Sequence, residues 1–378
     1  MSSSYELYKR IIGTLHPLVS VSNQKQLQNW VWLIVGILQA QAVSLSKIVT
    51  FIPVGSPNAE ARLATVRRWL ANPKIEVWSF YRPLLEHVLA DWHSVEAIVI
   101  LDGLQVFGDR WQIFRLSLRY GNRAIPLAWK VLPGRGFARV ENLEPMLTQV
   151  ADCLQGRVKR IRLRADAGFR DCEWASLALK LGWHYNIRIP ADTLVWLESH
   201  RRCRIDELGV RPEQRRYFQN VYFTAQAKGF GHLSVTWSAA NKEQAPELVA
   251  VRSDQVGSRQ RLTEYGWRMG IEESFRDDQS GGFDLAHTRL QHPDRLERLL
   301  LALAIATLWC HELGIEVLNG GDAVRREIDS GAERELSVFQ LGLRWLKRCV
   351  ATAVHRLVPF RACLKPIHLA PVIQVANC

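Results

Sequence analysis

Three acids stand where the pattern of the chain gives an acid something to do: Asp102, Asp166 and Glu272. Asp102 closes VEAIVILDG, a nearly unbroken apolar run that reads as a strand buried on both faces. An ionised carboxylate there is expensive to desolvate unless a cation compensates it. Asp166 ends a second strand-like run, RVKRIRLRAD, and Glu272 lies in a helical stretch further on. Three hard oxygen donors with no matching His or Cys cluster favour Mg²⁺ or Mn²⁺ over zinc. Singly, each acid also reads as an ordinary one: Asp102 capping a loop, Asp166 opening a turn before Gly168, Glu272 as a surface helix charge.

The neighbours of Glu272 add to the pattern. Tyr265, Arg268, Glu272 and Gln279 fall within a roughly 60° arc of one face if the stretch from Ser258 to Gln279 is a single helix at about 100° per residue. A tyrosine, a guanidinium and a carboxylate on one stripe suit a phosphodiester beside a metal, since arginine forks onto phosphate oxygens while the acid holds the cation. Periodicity alone fits equally well an amphipathic helix in which Arg268 and Glu272 form an i,i+4 pair.

Around these residues the chain divides by texture. From Tyr5 to Trp92 the period is helical, and Ser56-Pro57-Asn58 precedes AEARLATVRRWLANP, a helix carrying Arg62, Arg67 and Arg68. That face suits DNA, or equally a solvated basic surface. At Val95 a sheet begins, with further strands at Gln112 to Tyr120 and Arg123 to Leu132 around the turn dipeptide Gly121-Asn122. A helix at Asn142 to Leu154, the Asp166 strand, a helix at Asp171 to Leu181 and a strand at His184 to Ile189 complete an α/β order. Short β runs from Ala191 to Gln255 read as an inserted subdomain. Helix returns at Ser258 to Gln279 and at Pro293 to Leu313. A loop is expected from Gly314 to Gly331, and a last helix near Leu336 to Leu357.

Composition narrows the classes. Hydrophobic residues make up 48% of the 378 and charged ones 23%, which excludes a wholly disordered chain. Forty-nine Lys and Arg against thirty-seven Asp and Glu leave a formal charge of +12, which points to a polyanionic partner. The longest apolar stretch, Leu299 to Cys310, is shorter than the roughly 20 residues of a membrane helix, so no membrane is expected. Seven cysteines without CxxC pairs, and an N-terminus without a signal-peptide core, fit the cytoplasm.

The run Tyr265-x2-Arg268-x3-Glu272, continued as ESFRDDQSGGFDLAHTRLQHPDRLERLLLALAIATLW, closely resembles the signature of DDE transposases of the insertion sequence four family. AIVILDG and LRADAGFRD match that family's first and second acid regions, so the resemblance runs from about Val95 to His311. It implies an α/β RNase H-like core, a mixed sheet flanked by helices, in two parts (95–190 and 257–315). A β-rich insertion (191–256) lies between them, after an N-terminal helical DNA-binding domain (1–94) and before a C-terminal helical tail suited to dimerisation (316–378). Asp102, Asp166 and Glu272 become ligands of two Mg²⁺ or Mn²⁺ ions. Tyr265 and Arg268 become phosphate contacts, with Gln279 and Arg276 beside them; Arg164, by its strand parity with Asp166, and Arg67 and Arg68, on their basic helix, are read from the residues themselves as further DNA contacts. Arg160 and Arg162 share the parity of Arg164. Trp196 and Trp237 occupy the region where relatives stack a displaced base, a core role being the other reading of both.

The implied activity is cut-and-paste transposition: 3′ nicking at the element end, hairpin formation, hairpin opening and strand transfer. Its partners are double-stranded DNA at the element ends, target DNA and a second copy of the chain bound with it on DNA. Leu341, Trp345 and Leu346 on the last helix are a candidate interface and equally a packing face. At one position the sequence departs from the family. Gln279 stands where the signature has lysine, offering a neutral amide in place of a full charge. That change motivates an alternative, a DNA-binding regulator with weakened or lost catalysis. A nuclease without strand transfer is a third reading.

Overall fold

The computed structural model describes residues 2–20, 23–53, 58–93, 95–134, 138–224, 226, 228–238 and 245–365. Ser56 and Pro57 of the expected helix start, and the last part of the C-terminal tail, lie outside the described residues.

The N-terminal part is helical: α1 (Ser3–Leu18), α2 (Gln24–Ala40), α3 (Leu45–Ile48), α4 (Ala59–Ala71) and α5 (Val77–Val88). Asn58 caps α4 by accepting from the Glu60 N–H, satisfying one of the amides a helix start leaves open. The sheet opens with three antiparallel strands, β1 (Glu96–Val106), β2 (Trp111–Tyr120) and β3 (Arg123–Pro133). The two-residue turn between β2 and β3 needs Gly121 at φ +63. After α6 (Val140–Leu154), β4 (Arg160–Ala165) pairs parallel with β1; after α7 (Cys172–Lys180), β5 (His184–Ile189) pairs parallel with β4. The order β3-β2-β1-β4-β5, with its antiparallel half and parallel half, is the RNase H-like α/β arrangement.

The β-rich stretch does not form a separate sheet. It supplies β6 (Leu194–Trp196), β7 (Arg202–Arg204), β8 (Arg215–Phe223), β9 (Phe230–Trp237) and β10 (Leu248–Ser253), and β10 pairs antiparallel with β5. One ten-stranded sheet results, in the order β3-β2-β1-β4-β5-β10-β9-β8-β6-β7. Pairing β10 to β5 covers an edge that would otherwise present open backbone amides.

Two helices then return across the sheet, α8 (Arg259–Gly266) and α9 (Met269–Asp278), followed by α10 (Pro293–Asn319), α11 (Gly321–Arg325) and α12 (Val338–Thr352). The loop expected from Gly314 is therefore helix for its first turns, because α10 continues through Gly314. The reason is close packing. A Cβ on Gly314 would stand 1.9 Å from the Val338 carbonyl oxygen, and one on Gly342 would stand 1.7 Å from that of Cys310. The two glycines let α10 and α12 touch backbone to backbone. Leu341, Trp345 and Leu346 are buried within the chain, so of the two readings of that face the packing one is met. Among the described residues α10 is the one unbent helix long and apolar enough to cross a membrane, and 89% of its apolar window is buried within the fold.

Candidate active site

Local sequence places each acid. On β1 the side chains of Ile98, Ile100 and Asp102 alternate onto one face of the sheet, and the pairing of Ile100 with Arg164 puts the even residues of β4 on that face too. Helix α9 docks there: Ile271 and Phe275 pack on Ile100 and Ala124, and Ser274 Oγ accepts from the Ala124 N–H at 2.7 Å. Arg123 closes the far end of the contact with a 2.7 Å bond from Nε to Asp277 Oδ2. Glu272, on the same helix, is carried over the sheet beside Asp102.

Two expected boundaries shift. Asp102 is inside β1 rather than at its end, because β2 pairs along it as far as Val106 opposite Trp111. The stretch from Ser258 to Gln279 is not one helix. It breaks at Trp267 and Arg268, where the Arg268 N–H donates to Tyr265 O and the Ile271 N–H to Arg268 O, each a tighter i→i+3 bond. Tyr265 is thereby on α8 while Glu272 is on α9, and Gln279 ends α9, its carbonyl accepting from the Asp284 N–H at 2.7 Å.

Arg268 joins the first and third acids. Its Nη1 donates to Asp102 Oδ2 at 2.6 Å and its Nη2 to Glu272 Oε1. The guanidinium is 12% exposed and lies 5.9 Å from the Tyr265 ring centre. Asp166 follows β4, where its Oδ1 accepts from the Gly168 N–H at 2.9 Å; the turn reading of this acid is met as well. Burial pushes Asp102 up to about 6; Arg268 and the Gly103 amide pull it down, while the fields of Asp166 and Glu272 add to the rise. Burial opposes the charge on Arg268, yet Tyr265, Asp102, Glu272 and Asp166 together hold it above the usual guanidinium range. Burial also raises the Tyr265 phenol.

These facts bear on a metal. Among the described residues no three His, Cys, Asp or Glu side chains already converge as a cage. The donor chemistry nonetheless fits a hard divalent cation: three carboxylates repel one another through Asp102, and a cation, the guanidinium, stands between two of them. Asp102, Asp166 and Glu272 are the side chains that would hold it.

The remaining residues expected at the site divide. Arg164 is 1% exposed, and its guanidinium is spent on Glu264, on the Glu264 carbonyl and on Leu163 O, so the expected place on a DNA path is corrected to a buried one. Arg162 is also drawn inward, to Glu96, Gln255 and Glu264, while Arg160 pairs with Glu96 at the rim. Arg276 is exposed and paired with Glu273 at 2.8 Å. Arg67 and Arg68 are exposed on α4. Trp196 lies under the Arg202 guanidinium, and Trp237 donates to Val210 O.

Two neighbours went unnoticed in the sequence. Glu264 is buried and gathers Arg162, Arg164, Arg261, Gln260 and Asn186. Arg188 on β5 acts electrostatically on the Tyr265 phenol while pairing with Glu247 at 2.7 Å. Alternation in HYNIRI, which puts Asn186 and Arg188 on one side of the strand, was the available signal for the second.

Comparison with known proteins matches a family model to part of the chain. Residues 138–309 match the family model described as transposase DDE domain, a span that includes Asp166 and Glu272 and begins after Asp102. No curated protein matches the chain at a significant level. Among solved structures, a cryo-EM structure of the piggyBac transposase synaptic complex with hairpin DNA is similar at 9% identity. It covers 94% of this chain and 81% of that one with a TM-score of 0.48. Over residues 138–309, then, the chain is similar to the transposase DDE domain family.

Proposed function

We propose that the protein is a cut-and-paste DNA transposase that nicks the 3′ end of its element, forms and opens a hairpin and transfers the strand to target DNA. The observation carrying the reading is the convergence of Asp102 and Glu272 on Arg268, within the field of Asp166, on one face of an RNase H-like sheet. Two bound divalent cations, Mg²⁺ or Mn²⁺, would supply the activated water or 3′-OH and stabilise the leaving oxygen of an in-line displacement.

The chain's own residues do the positioning. Asp102 comes from β1, Asp166 from the end of the adjacent parallel strand β4 and Glu272 from a helix packed on β1 and β3, so the sheet holds their separation. Arg268 and Tyr265 bind phosphate of the cut end, with Arg188 beside them. Arg67 and Arg68 on α4 contact the duplex backbone from the N-terminal helical domain. A homodimer holds two element ends together.

Labelled duplexes taken from the gene's own flanks test this, incubated with the protein or Glu272→Gln in Mg²⁺ or Mn²⁺ and resolved on denaturing gels. The unmutated protein is expected to nick and to form hairpins at a fixed position while the variant only binds. Equal binding with no cutting by either protein would sink the catalytic reading in favour of a regulator.

A further inference from the structure

We infer that Arg268 is a tethered counter-cation: in the DNA-free protein its guanidinium takes the cation position between Asp102 and Glu272, and divalent metal loads fully only when a DNA phosphate draws it away. The inference rests on the reading of Asp102, Asp166 and Glu272 as metal ligands and names how that site is regulated.

The geometry is that of a substitute ion. One planar fork reaches both carboxylates, Nη1 at 2.6 Å from Asp102 Oδ2 and Nη2 on Glu272 Oε1. Glu272 Oε1 and Asp102 Oδ2 are oxygens a cation would need, and a guanidinium has no lone pair with which to join a coordination shell. Arginine and metal therefore compete for these two oxygens. The Arg268 Nε is buried without a hydrogen-bond partner, so the side chain leaves one donor unspent in this pose. A phosphodiester offers the fork a bidentate acceptor, which replaces both carboxylates at once.

The backbone permits the exchange. Arg268 is the junction residue between α8 and α9, and its amide and carbonyl are held by Tyr265 and Ile271. The side chain can swing without unwinding α9, which stays fixed to β3 through Ser274 and Asp277. Electrostatics favour the exchange as well: divalent charge replaces the single charge that leaves the acids, and the arginine carries its own charge to the phosphate. The functional consequence is an order of events. Without DNA the site is already partly neutralised and holds metal weakly, which guards against hydrolysis at random phosphates. The end of the element supplies the acceptor that releases it.

Mn²⁺ alone, added to the full-length DNA-free protein and followed by the loss of the free-ion electron paramagnetic resonance signal, tests the inference without reference to activity. Arg268→Gln is expected to bind Mn²⁺ at least about tenfold more tightly than the unmutated protein. Arg268→Lys, whose single point charge reaches one carboxylate, is expected to fall between them. Asp102→Asn in the Arg268→Gln background is expected to lose the binding. If neither Arg268 variant binds more tightly while Asp102→Asn still abolishes binding, the counter-cation role is overturned and the ligand assignment stands. If Mn²⁺ binding ignores Asp102→Asn, the ligand assignment itself fails. Circular dichroism melts establish that each variant is folded at the titration temperature, and Arg268→Lys carries the test should Arg268→Gln not fold.

Discussion

Arg164, two positions before Asp166, donates from Nη2 to Glu264 Oε2, and Glu264 stands immediately before Tyr265. The strand that delivers the second acid is thus tied to the helix that leads to the third. The same carboxylate also receives Arg162 and Arg261, so three guanidinium groups depend on one buried glutamate. Removing one partner of such a cluster leaves uncompensated charge in a dry site.

Glu264→Gln is accordingly expected to lower folding stability by about 3 kcal/mol or more, within the range for breaking a buried ion pair. Urea unfolding followed by tryptophan fluorescence measures it. A variant as stable as the unmutated protein would mean that solvent or Glu96 compensates the arginines.

The packing of α10 against α12 gives a second expectation. Gly342→Ala places a methyl group 1.7 Å from the Cys310 carbonyl oxygen, so the helices must part, at a cost of about 1–3 kcal/mol or more. Gly156→Ala offers a contrast without a steric clash, since nothing lies within 4 Å of its Cβ, although its φ of +72 strains any side chain. Thermal melts of the two variants separate packing from backbone strain.

A pH dependence follows from His311. It is 1% exposed, its Nδ1 faces Thr307 O, and burial pushes it down to about 4 from an ordinary 6.5. Above pH 6.5 both folded and unfolded states hold it neutral, and the group contributes no pH slope. As pH falls from 6.5 to 4 the unfolded chain takes a proton that the folded one refuses, so stability drops, by about 3 kcal/mol at 1.36 per unit. Glu312 beside it, raised by burial to about 7, works in the opposite sense, and the isolated effect is therefore read as a difference. The stability of the unmutated protein relative to His311→Gln should fall through that window. A constant difference would refute the assignment.

For the basic face of α4, Arg67→Ala with Arg68→Ala is expected to weaken DNA binding on any sequence. The slope of log affinity against log salt should fall by about one for each phosphate left unneutralised. Both side chains are exposed, so melting temperature should hold steady. An unchanged salt slope would show that α4 does not face the duplex.

Local pattern carried much of this protein. The strands from Glu96 to Ile189 and the helices between them were legible because apolar alternation and periodicity are properties of neighbouring residues. Three features were not. Parity put Arg164 on the face of Asp166 and so on a DNA path, and parity names a face without saying what covers it; there Arg164 meets the buried Glu264 of α8. Gly314 looked like a helix stop, and the carbonyl of Val338 decided otherwise. Arg268 and Glu272 were paired by spacing, but Asp102 is far away in sequence, and it is the sheet that turns an i,i+4 pair into a guanidinium shared by two acids. Sequence specifies which chemical groups exist and the local geometry that offers them. Their charge state and their partners are set by long-range burial, which belongs to the tertiary structure alone.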